Sequence, residues 1–299
     1  MNPYPPTLAV TGASGFLGRV VADRLAHSHT VLRLGHTHGG PDIERLDLRE
    51  AEAVRAWAER TRPDVVIHGA AYRDPDFCEA HPDETERLNA GAVRNLCAAL
   101  PPGARLIFIS TDYVFDGLRP PHRETDPYSP VQEYGRSKVR GEQAALARPG
   151  SLVLRIPLLM GAAPDFAGSG FLAQILQQHL KRTEPHECDH ALIRYPTWIA
   201  DVAEAIAFLL ERHAAGIYHM SGADRMTRYD AVCAAVRVLG FSCAHVRPSR
   251  FALPRAAARP PDSALATDKI RSLGFRHFTP FDDVVRAFAR AFPGECRPE

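Results

Sequence analysis

The sequence predicts an α/β protein: a doubly wound parallel sheet with a smaller lobe interleaved at its C-terminal end. Three observations carry that expectation. Short, continuously apolar runs alternate with segments of helical period through the first half, as strands buried on both faces of a parallel sheet do. A glycine-rich turn follows the first run and opens the first helical segment. Beyond Pro157 the alternation degrades, which places a first unit at 1–157 and a second, substrate-binding lobe at 158–299.

The elements follow in order. Thr7 to Val10 is a short apolar strand, and Phe16, Leu17, Val20, Val21 and Leu25 then recur at helical spacing. Thr30 to Leu34 is a second strand, Ala51 to Arg60 a helix and Asp64 to His68 a third strand. Glu84 to Leu100 is a long helix, and Arg105 to Ser110 a fourth strand. A helix from about Tyr134 to Leu146 and a strand over Leu152 to Ile156 complete the first half. Further on, Phe166 to Gly170 is a flexible connection leading into a helix that ends near Leu180. Thr183 to His190 is polar and reads as a loop. Helices over Asp201–Arg212 and Arg228–Leu239 flank a short strand at Ile217–Met220, and Arg247 to Asp262 is rich in Pro, Arg and Ala.

Composition excludes several classes. Hydrophobic residues are 45% and charged residues 24% of 299, which is globular and neither disordered nor fibrous. Lys and Arg number 36 against 35 Asp and Glu, a balance that favours neither nucleic acid nor a membrane surface as partner. Six scattered cysteines without a C-x-x-C pair read as thiols in a reducing compartment. The opening residues lack a basic region and an apolar stretch, and the longest clean apolar run, Ala205 to Leu210, is far too short to cross a bilayer. A soluble cytoplasmic protein is expected.

The sharpest motif is Thr11-Gly-Ala-Ser-Gly-Phe-Leu-Gly18. Gly12 permits a tight turn, Gly15 lets backbone approach a pyrophosphate, and Gly18 lets helix and strand pack closely. The pyrophosphate would sit on the helix N-terminus, where unpaired N–H groups favour anions. A ligand-free tight turn is the bland alternative, but the strand–turn–helix context favours a dinucleotide. The second strand ends in Arg33-Leu-Gly-His-Thr-His38 with no carboxylate for the ribose hydroxyls. Arg19, His36, Thr37 and His38 are candidates for a 2′-phosphate, so NADP is expected, with NAD as the alternative.

Tyr134 and Lys138 form a Y-x-x-x-K on one helix face. An ammonium beside the phenol would lower its pKa from about 10, and Tyr134 could then protonate a carbonyl oxygen while hydride arrives at carbon. Alone this spacing is common by chance. Its company is Ser110-Thr-Asp-Tyr-Val-Phe-Asp-Gly117 at a strand's carboxyl end, where open α/β sheets bind ligands. There Thr111 could polarise the same carbonyl.

These residues resemble the extended short-chain dehydrogenase/reductases, a Rossmann-type family, and within it the dTDP-4-dehydrorhamnose reductase branch. That branch also includes the regulatory β subunit of methionine adenosyltransferase. The resemblance spans essentially the whole chain. It rests on Thr11–Gly18, His68-Gly-Ala-Ala71, Leu88-Asn-Ala90, Ser110–Gly117, Tyr134–Glu142, Arg155-Ile-Pro157, Pro196–Val202 and Arg259-Pro-Pro-Asp-Ser-Ala-Leu265. It implies Thr111, Tyr134 and Lys138 as catalytic residues, with Asn89 supporting a proton relay. It implies that Gly12, Ser14, Gly15, Phe16, Leu17, Gly18, Ala70 and Ala71 line the cofactor, that Asp47 and Leu48 flank the adenine, and that Pro157 lies near the nicotinamide. Asp76, Asp112, Tyr113 and Leu158 would face the substrate, and Arg259 a nucleotide diphosphate. The chain departs from the reductases at Pro75-Asp-Phe-Cys-Glu79 and at Leu158, while His219–Gly222 and Met226–Tyr229 look closer to the β subunit.

Two other stretches were weighed. His186-Glu-Cys-Asp-His190 has metal-ligating side chains but reads as a solvated loop, so no metal is expected. Arg247, Arg250, Arg255 and Arg259 suit a diphosphate better than nucleic acid. The expected function is NADP-dependent reduction of a 4-keto group on a nucleotide-activated deoxysugar. The absence of a Glu after Asp112 argues for simple reduction over dehydration. The alternatives are a non-catalytic NADP-binding regulatory subunit and a reductase of another ketone. The partner is a small molecule, and the sequence leaves room for a homodimer.

Overall fold

The computed structural model describes residues 6–37, 39, 40, 42–180, 182–251 and 255–296. His38 and the opening residues Met1 to Pro5 therefore lie outside the described residues. In chain order the elements begin β1 (Thr7–Thr11), α1 (Phe16–Ala26), β2 (Thr30–Gly35), β3 (Ile43–Arg45), α2 (Ala51–Thr61) and β4 (Val65–His68). Next come α3 (Pro75–Ala80), α4 (Pro82–Glu86), a π turn at Arg87–Gly91, α5 (Ala92–Ala99), β5 (Arg105–Thr111), α6 (Glu133–Leu146) and β6 (Leu152–Ile156). The remainder is β7 (Leu159–Met160), α7 (Gly170–His179), β8 (His186–Asp189), β9 (Thr197–Trp198), α8 (Ile199–Glu211), β10 (Gly216–His219), α9 (Arg228–Val238), β11 (Val246–Ser249), α10 (Asp268–Ser272) and α11 (Phe281–Ala291).

Seven strands form one parallel sheet in the order β10-β6-β5-β4-β1-β2-β3. β1 lies where the strand order reverses, so its carboxyl end borders the crevice in which such sheets bind ligands. Strands β4 and β6 are buried along their whole length, because helices cover both faces. On one face α1 and α8 pack over Val10, Ile67, Ile109 and Leu154; on the other α2, α5 and α6 cover Ala9, Val66, Phe108 and Val153. The seventh strand, β10, comes from beyond residue 157 and pairs with β6, matching Gly216 to Leu152 and His219 to Arg155. A separate apolar cluster joins α7, α9 and α11, with Leu172, Ile175, Val232, Val236, Val285 and Phe288 fully buried.

Three sequence expectations are corrected. Thr183–His190 is no loop: its second half is β8, which pairs in parallel with β11 and turns Cys188 and Asp189 inward. Partners near 247 were invisible to local composition. The long helix expected at 84–100 begins at Pro82, and a π turn interrupts it at Arg87–Gly91, which carries Asn89. Finally, β3, α3, α10 and α11 carried no expectation, and most of them are too short for periodicity to register. No helix among the described residues is long and apolar enough to cross a membrane.

Beneath the sheet's carboxyl edge lies a buried ion pair. Glu142 of α6 and Arg155 of β6 are 0% and 1% exposed. The guanidinium Nε and Nη2 donate to the two carboxylate oxygens at 2.9 and 2.7 Å. Ser110 and Tyr128 donate hydroxyls to the same carboxylate. Arg155 Nη1 meets His219 Nε2 at 3.3 Å, and His219 Nδ1 meets the Ala266 carbonyl at 3.1 Å. Burial, reinforced by Arg155, holds His219 down at about 3, hence neutral. Removing one partner strands a buried charge, so Glu142→Ala should lose about 3–5 kcal/mol in urea unfolding. Glu142→Gln, which keeps an acceptor, should lose less. An unchanged midpoint for Glu142→Ala would show that the pair does not hold these elements together.

Candidate functional site

A cleft of about 780 Å³ runs along the carboxyl ends of the strands, from the glycine turn to the C-terminal segments. At one end Gly12 adopts φ +67°, and a Cβ on Gly18 would stand 2.1 Å from the Gly12 carbonyl, so helix and turn approach closely only without one. Helix α1 has no side-chain cap and no acidic residue in its first turn. Its N-terminal residues Ser14 to Gly18 line the cleft, which leaves that positive end for an anion. A dinucleotide pyrophosphate fits this cradle.

Ala70 and Ala71 after β4, and Pro157 and Leu158 after β6, line the same cleft. Under the turn, Thr11 Oγ1 and His68 Nδ1 share a 2.7 Å hydrogen bond, and Thr11 Oγ1 also accepts from the Gly69 and Ala70 amides. Burial, with Lys138 adding to it, pushes the fully enclosed His68 down to about 3.

His36, Thr37, Asp47 and Leu48 line the cleft beside the glycine turn, past the ends of β2 and β3, together with Arg49, which the sequence reading missed. Arg49 Nε and Nη2 donate to Asp47 Oδ1 and Oδ2 at 2.9 and 2.7 Å, and Nη2 reaches His36 Nε2 at 3.2 Å. That fork holds the Asp47 carboxyl at about 2. Arg19 is corrected. It does not line the cleft; its Nη2 donates to the Ala162 carbonyl at 3.0 Å and its Nη1 lies 3.8 Å from Asp23. Arg19 sits one residue past the turn, on the side of the helix that faces the C-terminal segments. The signal for Arg49 would have been its place directly after Asp47 and Leu48, which the resemblance sets at the adenine.

Thr111, at the end of β5, and Tyr134 and Lys138, one turn apart on α6, come together on one wall. The Thr111 hydroxyl donates to Asp112 Oδ1 at 2.8 Å and accepts from the Tyr113 amide at 3.2 Å. Burial raises the Tyr134 phenol above its ordinary range, against a hydrogen bond with Thr111 that pulls it down. The expected lowering by Lys138 is not what the geometry gives. Lys138 Nζ donates to the Ile109 carbonyl at 2.7 Å and lies 3.9 Å from the Phe108 ring centroid. Burial drops Lys138 itself to about 7 and raises Asp112 to about 6.

Asn89 stands behind this wall, 1% exposed. Its amide accepts from the Tyr72 N–H at 2.8 Å and donates to the Tyr72 carbonyl at 2.8 Å and to Ser137 Oγ at 3.0 Å. It therefore fixes α6 against the segment after β4 and does not line the cleft.

The other half of the cleft is lined by Asp76, Tyr113, Leu158, Arg255 and Arg259, as the sequence indicated, and by Gln174, Asp189, Arg194 and Arg228, which it did not. The last four come from α7, the end of β8, the loop after it and the start of α9, all distant in sequence from the glycine turn. Arg259 was expected to face a diphosphate; its fork is filled instead by Asp76, with Nη1 and Nη2 at 3.2 and 3.0 Å from the two carboxylate oxygens. Among the described residues no group of three or more His, Cys, Asp or Glu side chains is placed to hold a metal ion.

Comparison with known proteins agrees with this geometry. The chain is 36% identical over 285 residues to methionine adenosyltransferase 2 subunit beta of Xenopus tropicalis, covering 93% of this chain and 85% of that protein. It is 36% identical over 292 residues to a probable dTDP-4,6-dihydroxy-2-methyloxan-3-one 4-ketoreductase of Streptomyces antibioticus, covering 95% and 94%. A dTDP-4-dehydrorhamnose reductase from Bacillus anthracis, solved in complex with NADP, superposes with a TM-score of 0.83 at 26% identity, covering 95% of this chain and 98% of that one. Residues 7–292 match the family described as RmlD substrate binding domain, and the chain belongs to that family.

Proposed function

We propose that the protein is an NADP-dependent reductase of a 4-keto group on a nucleotide-activated deoxysugar. The observation that carries this reading is the convergence of Thr111, Tyr134 and Lys138 on one wall of the cleft that begins at the glycine turn. The NADP-bound reductase and the Streptomyces ketoreductase among its relatives support it. Bound NADPH would supply the hydride. Gly12, Gly15 and the α1 N-terminus would hold its pyrophosphate, and His36 with Nη1 of Arg49, the guanidinium nitrogen not engaged with Asp47, its 2′-phosphate. A phenol raised by burial stays protonated at neutral pH, which is the form that gives a proton to the carbonyl oxygen. Thr111 polarises that oxygen, and Lys138 orients the cofactor ribose beside it.

A second reading, a non-catalytic regulatory subunit, is favoured by the 36–37% identity to β subunits over more than nine-tenths of the chain. NADPH oxidation measured across a panel of nucleotide-4-ketosugars separates the two. Turnover of any of them supports reduction. Turnover of none, with a methionine adenosyltransferase catalytic subunit captured by the protein, supports the subunit reading.

Three expectations accompany the reductase. Tyr134→Phe deletes only the hydroxyl, so reduction should fall roughly 10²–10⁴-fold while NADPH affinity, read by cofactor fluorescence, is kept; unchanged turnover would remove Tyr134 from the chemistry. Arg49→Gln should weaken NADPH about ten-fold and leave NADH unchanged, and an equal effect on both would place the 2′-phosphate elsewhere. Lys138 is useful as the ammonium and titrates at about 7 in the free protein. Its contribution is present below that pH and lost above it, so kcat/KM should decline as pH rises through 7. A profile flat to pH 9 would contradict this.

A further inference from the structure

Asp76 receives an unusual concentration of hydrogen bonds from one distant segment. Its Oδ1 accepts from the Ala257 amide at 2.8 Å and from Arg259 Nη1 at 3.2 Å, and its Oδ2 from Arg259 Nη2 at 3.0 Å. Arg259 Nη1 also donates to the Ala257 carbonyl at 2.8 Å, so segment and carboxylate close into a ring. The Arg259 side chain is 8% exposed, and Ala257 is buried. On its other side the same segment is pinned again. Arg194 Nη1 donates to the Pro260 carbonyl at 2.9 Å, and the Ile193 amide to the Pro261 carbonyl at 2.8 Å. Arg194 in turn lies 5.8 Å from the Tyr113 ring centroid. The 257–261 segment thus spans from α3, beside the cofactor half, to the loop after β8, and presents Arg259 to the cleft.

We propose that Asp76 and Arg259 are a positioning pair, a clasp that fixes the 257–261 segment where its Arg259 borders the substrate half and so sets which substrates fit. The clasp rests on the reductase reading only for where substrate enters. An arginine that met substrate phosphates would have to offer its fork to the cleft, and here both Nη atoms are committed to Asp76 and Ala257. The two hypotheses make opposite statements about Asp76. If Arg259 bound the substrate anion directly, Asp76 would compete for it. As a clasp, the two residues act together.

The test uses Asp76→Ala, Arg259→Gln, Arg259→Lys and the Asp76→Ala/Arg259→Gln double variant of the full chain saturated with NADPH. Under the clasp, Asp76→Ala and Arg259→Gln each raise KM for the ketosugar about ten-fold while kcat and NADPH affinity stay within about two-fold. The double variant is no worse than the worse single one, and Arg259→Lys recovers part of the loss. Hydrogen exchange at the Ala257 amide speeds about ten-fold or more in Asp76→Ala. A lowered or unchanged KM in Asp76→Ala beside a raised KM in Arg259→Gln overturns the clasp, as does parental exchange at Ala257. Were no ketosugar turned over, the reductase reading would fail in its own assay and Ala257 exchange would still decide the clasp.

Discussion

The site depends on one buried carboxylate. Tyr134, Lys138 and Glu142 follow each other at four-residue intervals along α6, so all three share a face. Glu142 anchors that face from the far end. It takes hydrogen bonds from Arg155 on β6, from Ser110 beside Thr111 on β5, and from Tyr128 in the loop before the helix. The helix that carries the phenol and the strand end that carries Thr111 are thereby set by the same two oxygens. A buried ion pair is a poor source of net stability, since desolvation consumes much of its attraction. What it supplies here is registry, because a carboxylate without its partners at that depth is strongly disfavoured.

The same pair reaches the C-terminal segments. Arg155 extends the network to His219 on β10 and from there to the Ala266 carbonyl, and its guanidinium stacks over Phe115 at 4.9 Å. His219 can accept from Arg155 only while neutral, and burial keeps it so. A residue from β10 is thus tied to α6, the helix that carries Tyr134 and Lys138, through a single arginine.

What was legible in the sequence had its partners nearby. The glycine turn, the Tyr134–Lys138 pair and the strand end at Thr111 each announce themselves within eight residues, and the alternation of buried strands with helices indicated the doubly wound sheet that is observed. The unreadable parts depend on distance. Asp76 meets Arg259 across 183 residues, and β8 pairs with β11 sixty positions later, so polar composition around Glu187 read as a loop. Arg19 and Arg49 show the limit most sharply. Arg19 is the cation next to the turn in sequence, yet helix α1 aims it at Ala162, while β3 and the turn after it bring the distant Arg49 to His36.

Electrostatics divides the cleft in a way that neither motif foretold. Near the glycine turn the charges are neutralised in place: Asp47 by Arg49, and His68 by burial. On the wall that carries Thr111, Tyr134 and Lys138 burial works against every ionised form, lowering Lys138 and raising Asp112 and Tyr134. A phenol kept neutral costs the site little desolvation while no ligand is bound. At the substrate end, arginines from three separate segments, Arg194, Arg228, and Arg255 with Arg259, border the opening, one of them already satisfied by Asp76. Thr111, Tyr134 and Lys138 are thus held on adjacent rigid elements, whereas the shape of the other end is set by contacts between segments far apart in the chain, and relatives named a subunit beta and a ketoreductase match this chain over nearly the same length of sequence.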